Sequence, residues 1–157
     1  MRRLIFLMLC ITTAMSIQAQ KDRGINDIFE GNGIDKSRIT ETIIRGEQLE
    51  PYHLTVFHSI KFNATEKERN DIEKQFYTYI SQNASRNDGG KPNSEMESRG
   101  GHLYYAIAEV KPLSPFDRRY ICYQCSSTPM AGTFSLTLVS LEGKVSLQNL
   151  RKMFKKK

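Results

Sequence analysis

Between positions 52 and 82 an alternating run, a helix cap and an amphipathic helix follow one another. This unit restricts the chain to folds in which a helix packs on a sheet. Leu54, Val56, His58, Ile60 and Phe62 alternate with Thr55, Phe57, Ser59 and Lys61, the period-two pattern of a strand rich in β-branched and aromatic side chains. Thr65-Glu66-Lys67-Glu68 comes next. The threonine hydroxyl can accept from the amide of residue 68 while Glu68 reaches back to the amide of Thr65, which makes a capping box. Ile72, Phe76, Tyr79 and Ile80 then form one apolar stripe on a charged helix over about 66–82.

Three further strands are predicted at 103–111, 118–126 and 133–141, joined by short proline-containing connections. Connections of this length suit antiparallel neighbours. Ser146 is placed to cap a last helix that turns Leu147, Leu150 and Phe154 inward. Upstream, Ile25, Ile28 and Phe29 predict one or two helical turns ending near Gly31-Asn32-Gly33. Ile39, Ile43 and Leu49 read as a second short helix within 35–49. Residues 83–101 hold four glycines, one proline and almost nothing apolar, and read as a long flexible loop, either functional or disordered. The expected fold is α+β: an antiparallel sheet of about four strands with helices packed on one face, ordered β-α-β-β-β-α after a helical N-terminal segment.

The first residues set the compartment. Met1-Arg2-Arg3, the apolar run Leu4 to Ile11 and the small and polar residues up to Gln18-Ala19-Gln20 have the order of a secretory signal peptide. The run is shorter than the ~20 apolar residues of a stable membrane span, and no other stretch could cross a membrane. Cys10 follows Leu9 inside the apolar run, which does not suit lipidation. Cleavage after Ala19 is expected, making 1–19 a leader and 20–157 a single domain, periplasmic or secreted. Removing 19 of 157 residues leaves 138, and the loss of Arg2 and Arg3 lowers the net charge from +6 to +4. Part of the remainder lies in the tail Arg151 to Lys157, read either as frayed or as touching anionic lipid or polysaccharide. The near-neutral body argues against a nucleic-acid partner.

Cys122-Tyr123-Gln124-Cys125 is the one motif with chemical potential. Outside the cytoplasm two nearby cysteines can pair. Residues three apart on a strand point to opposite faces, so a disulfide needs a bulge or the strand end near Cys125. Three states stay open: two free thiols, a structural disulfide, and redox activity or metal binding. No helix follows to lower a thiol pKa, and no second ligand pair completes a zinc site. HExxH, GxSxG and Walker-type loops do not occur. Catalytic, cofactor-binding and metal residues are therefore not assigned, and no cofactor is expected.

His53, His58 and His102 read as surface or edge histidines. Glu66, Glu68, Asp71 and Glu73 read as a solvated helix start, where the helix dipole favours carboxylates. Tyr104, Tyr105, Phe116, Tyr120 and Tyr123 fall on the strands or the loop joining them. They either form a binding surface on one sheet face or fill core and sheet edge.

The leader ending in Gln18-Ala19-Gln20, the segment Ile25 to Glu30 with the glycine break after it, and the stretch Ile39 to Phe62 resemble small exported Bacteroidetes proteins of a domain-of-unknown-function family. The resemblance implies an envelope location and brings no catalytic residues. The leading functional expectation is a non-enzymatic exported domain that binds a protein or envelope component through its sheet face or the 83–101 loop. The alternatives are a periplasmic thiol/disulfide protein using Cys122 and Cys125, and a small-ligand carrier with a pocket between helix 66–82 and the sheet. The sequence assigns no oligomeric state.

Overall fold

The computed structural model describes residues 23–30, 33–128 and 130–154. The expected leader, 1–19, lies outside them, as does the end of the basic tail. Among the described residues six strands form one antiparallel sheet: β1 Thr40–Arg45, β2 Leu54–Thr65, β3 Ser94–Arg99, β4 His102–Val110, β5 Arg118–Ser127 and β6 Thr133–Gly143. Their spatial order is β1-β2-β6-β5-β4-β3. Among the described residues three α-helices accompany them: α1 Arg23–Phe29, α2 Glu66–Asn83 and α3 Leu147–Phe154. Short 3₁₀ turns stand at Lys36–Arg38 and Glu47–Tyr52.

β2 turns directly into α2 at Thr65. The hydroxyl of Thr65 accepts from the Glu68 amide, and the Glu68 carboxylate accepts from the Thr65 amide at 2.8 Å. The 18-residue helix is about 27 Å long at ~1.5 Å per residue. It crosses one face, touching β2, β6 and β4. Four inter-strand steps separate β2 from β3, about 19 Å at ~4.8 Å each, so the helix spans the distance to the far edge. From there β3, β4, β5 and β6 meander back until β6 pairs with β2.

Both faces of the sheet carry a core. On the first, Ile60, Phe62, Leu136, Leu138, Ile121 and Tyr123 meet Ile72, Phe76, Tyr79 and Ile80 of α2 and Ile25 and Ile28 of α1. Ala64, Ala106 and Ala108 stand on this face, where small side chains give the helix room. On the second face Ile107, Tyr120, Cys122 and Leu141 meet Leu49, Val145, Leu147 and Leu150. The Tyr120 hydroxyl donates to the Val145 carbonyl at 2.7 Å, holding the approach to α3 against the sheet. Ser146 Oγ accepts from the Asn149 amide at 3.3 Å, the expected cap.

The expected fold class is corrected in two respects. The sheet has six strands rather than about four, and helices cover both faces rather than one. The two extra strands are the edges, β1 and β3. β1 occupies part of the 35–49 segment read as a helix, and β3 lies within the 83–101 segment read as loop. Each has a single strand neighbour and is largely exposed, so neither needs the buried alternation by which central strands are recognised. Ahead of β3 the polar residues satisfy one another. Asn87 Oδ1 accepts from the amides of Gly89 and Lys91, Arg86 donates to the Gly90 carbonyl, and Asn93 donates to Glu109 at 2.6 Å.

Candidate functional site

The site forms where the N-terminal half of α2 passes over the ends of β4, β5 and β6. Arg69 lies three residues before Ile72 and seven before Phe76, so it faces the sheet with the apolar stripe. It is 6 % exposed. Its guanidinium carbon lies 4.1 Å from the centroid of the Phe134 ring, a cation–π contact. Nε and Nη2 donate to Asn70 Oδ1 at 3.2 and 3.0 Å. Nη2 also lies 3.1 Å from His102 Nε2, and Glu66 is 3.6 Å away. No partner holds Nη1 among the described residues.

His102, the first residue of β4, links Arg69 to Glu73. A guanidinium only donates, so Nε2 of His102 accepts and Nδ1 carries the proton toward Glu73 Oε2, 3.3 Å away. The other Glu73 oxygen accepts the Leu103 amide at 3.0 Å. One turn of α2 thereby fixes both the start of β4 and the orientation of the imidazole. Across the turn between β3 and β4, Arg99 lies 3.4 Å above the Tyr104 ring and is held by Glu97 at 2.9 Å.

Arg69, Arg99 and His102 line an open groove of about 360 Å³, walled by Phe134 and Tyr104 and floored near Cys125, Ser126 and Ser127. Glu66, Glu73 and Glu97 contact these bases but are not among the residues lining the groove. A second groove of about 330 Å³ between α1 and α2 is acidic, with Asp27, Glu68 and Asp71 on its walls. Glu68 there is already engaged, capping α2 and meeting Arg38 at 2.8 Å.

The two cysteines of the CxxC carry free thiols on opposite faces of β5, Cys122 in the second core and Cys125 in the first. Their registers, Cys122↔Val139 and Cys125↔Leu136, run without a bulge. Burial pushes the Cys122 thiol up to about 12. Burial also raises Cys125 and outweighs the Tyr123 hydroxyl and Arg69, which pull it down. Both thiols are therefore poor nucleophiles at neutral pH. His102 gives Cys125 no base, because its accepting nitrogen is taken by Arg69. Among the described residues no group of three His, Cys, Asp or Glu is placed to hold a metal ion.

The five aromatics singled out from sequence do not share a surface. Tyr104 lies beneath Arg99 in the groove. Tyr105 points to the opposite face beside the second core, and burial raises its phenol to about 12. Phe116 stands 82 % exposed in the β4–β5 loop, while Tyr120 and Tyr123 are buried in different cores. Phe76 and Tyr123, with ring centroids 5.4 Å apart, fill the helix–sheet interface where a carrier pocket was expected; the groove opens only at its end. His58, the other well-anchored histidine, binds Glu41 at 2.7 Å and packs against Phe29. Sequence reading missed Arg69, Glu73 and Arg99 as site residues and took His102 for a surface or edge histidine. The one available signal was an arginine standing on the apolar stripe of α2.

The fold and groove define a small antiparallel-sheet domain, covered on both faces by helices, with a basic groove at one end. The chain belongs to the family of unknown function DUF6108, whose family model matches residues 12–154. No curated protein and no solved structure matches it. Among the described residues no helix is long and apolar enough to cross a membrane.

Proposed function

We propose that the chain is an exported, non-enzymatic binding domain that holds an acidic group, a carboxylate or phosphate on a protein or envelope component, on Arg69 and Arg99 in the groove where His102 orients Arg69. The observation that carries this reading is the convergence of two guanidinium groups, from α2 and the β3 edge, on one open groove, with Nη1 of the buried Arg69 left for an incoming acceptor and Nη2 oriented by His102. Charge-assisted bonds from a pre-oriented guanidinium are among the stronger polar contacts a protein can offer. The leader-like start supports export, and N-terminal sequencing of protein recovered outside the cytoplasm is expected to begin at Gln20.

Thermal unfolding of the chain lacking residues 1–19 tests the groove. Inorganic phosphate or acetate, compared with chloride at equal ionic strength, is expected to raise Tm to a plateau, because a ligand of the native state stabilises it in proportion to occupancy. Arg99→Gln should lose that rise, and His102→Ala, which removes the acceptor that orients Arg69, should weaken it. Arg99 is exposed, so its replacement leaves the core intact. Wild-type protein indifferent to both anions, or variants that respond as wild type does, would remove the groove as the binding element.

A further inference from the structure

β1 pairs on one side with β2 and, among the described residues, has no strand on its other side. An open edge of this kind is a template for another strand. Ile43, in the middle of β1, is 52 % exposed. Alternation puts Glu41, Ile43 and Arg45 on one face, opposite Ile60, His58 and Val56 of β2. Arg45 has no ion-pair partner among the described residues, and Glu41 reaches His58 through Oε1 alone.

We propose that a second copy of the chain pairs with this edge, antiparallel about a two-fold axis at Ile43, so that two sheets join into one. In that register Ile43 meets Ile43 of the second copy. Glu41 stands opposite Arg45 of the second copy, and Arg45 opposite its Glu41, one complementary pair on each side of an apolar centre. Thr42 faces Ile44 of the second copy on the reverse side. The pleat requires opposed residues to share a face, so the nearest alternative registers are centred on Thr42 or Ile44. They set Ile43 against Glu41 or against Arg45, which buries an apolar side chain beside a charge and leaves the ion pairs unmade. The other edge does not offer this. Centring β3 on itself at any of residues 95 to 97 brings glutamates opposite one another, from Glu95 and Glu97. The β1 contact is isologous and closes as a dimer.

Sedimentation equilibrium over a concentration series, with the chain and two charge variants, decides the question. The wild type should reach twice the protomer mass. Glu41→Lys and Arg45→Glu should each lose the dimer, because each sets like charges opposite across the two-fold axis. Mixed together, the two variants should regain dimer mass, since one supplies two cations and the other two carboxylates to the same pair of positions. That rescue also shows that both variants are folded. A wild-type monomer at the highest soluble concentration overturns the proposal, as does a dimer indifferent to both substitutions. Variants that fail to dimerise when mixed, or a mass that grows without limit because β1 adds to β3 of the next copy, overturn it equally.

Discussion

A Cβ at Gly143 would lie against the carbonyl oxygen of His53 and 2.6 Å from the Cα of Leu54. This is where β6 ends beside the bulge between Leu54 and Val56, and where the His53 carbonyl accepts from the amides of Lys144 and Val145. The backbone of His53 is itself left-handed, with φ 55. Neither strand can move aside without loosening those bonds, so Gly143→Ala is expected to lower unfolding free energy by about 1–3 kcal/mol, the usual range for overpacking, measured by urea denaturation. The groove, by contrast, left little mark in the sequence. Arg69, Glu73 and His102 are ordinary residues of a charged helix and a strand start, 33 positions apart at the extremes. Only the fold gives them their mutual distances. Cys122 and Cys125 were conspicuous by spacing, yet strand alternation alone separates them.

At the scale of elements, β2, α2 and the strands β4 to β6 were legible because each buries a face and must show the period of its backbone. The edges were not. In β3 the sequence Ser94-Glu95-Met96-Glu97-Ser98-Arg99 has one apolar residue, and its conformation rests on backbone pairing with β4, which leaves no side-chain signature. β1 contains Ile43 and Ile44 side by side, a spacing that fits helix and strand equally. The junction of β2 and α2 shows what a readable element contributes. The Glu68 carboxyl is held down at about 2 from its ordinary 4.5, first by Arg38 and then by the Thr65 amide. Its folded pKa is depressed, so its stabilisation is complete above pH 4.5 and drains away as pH falls toward 2. The denaturation midpoint of the wild type is expected to fall more steeply through that window than that of Glu68→Gln. At pH 7, well above the window, Thr65→Ala should lower stability by ~1 kcal/mol through the lost cap.

For the whole molecule the decisive fact is that one sheet serves two cores. Phe76 closes the first and Leu141 the second, and β5 and β6 contribute to both from alternate residues. Phe76→Ala is expected to cost about 3–5 kcal/mol and Leu141→Ala about 2–5 kcal/mol. Both should lower one shared unfolding transition in urea rather than separate two; a biphasic curve for either variant would show that the faces unfold independently.

The strand order carries a further consequence, in time rather than space. β6 is the last of the described strands to be made and occupies a central place between β2 and β5, and its partners in β2 are 68 to 89 residues away (133 − 65 and 143 − 54). Until it arrives, the chain can hold only the hairpin of β1 with β2 and the meander of β3 to β5, two fragments facing each other across a missing strand. Pairing over such separations is slow because loop closure precedes the contacts that reward it. The sheet therefore cannot close until residue 143 has been made and has left the ribosome, however early the two fragments before it take shape.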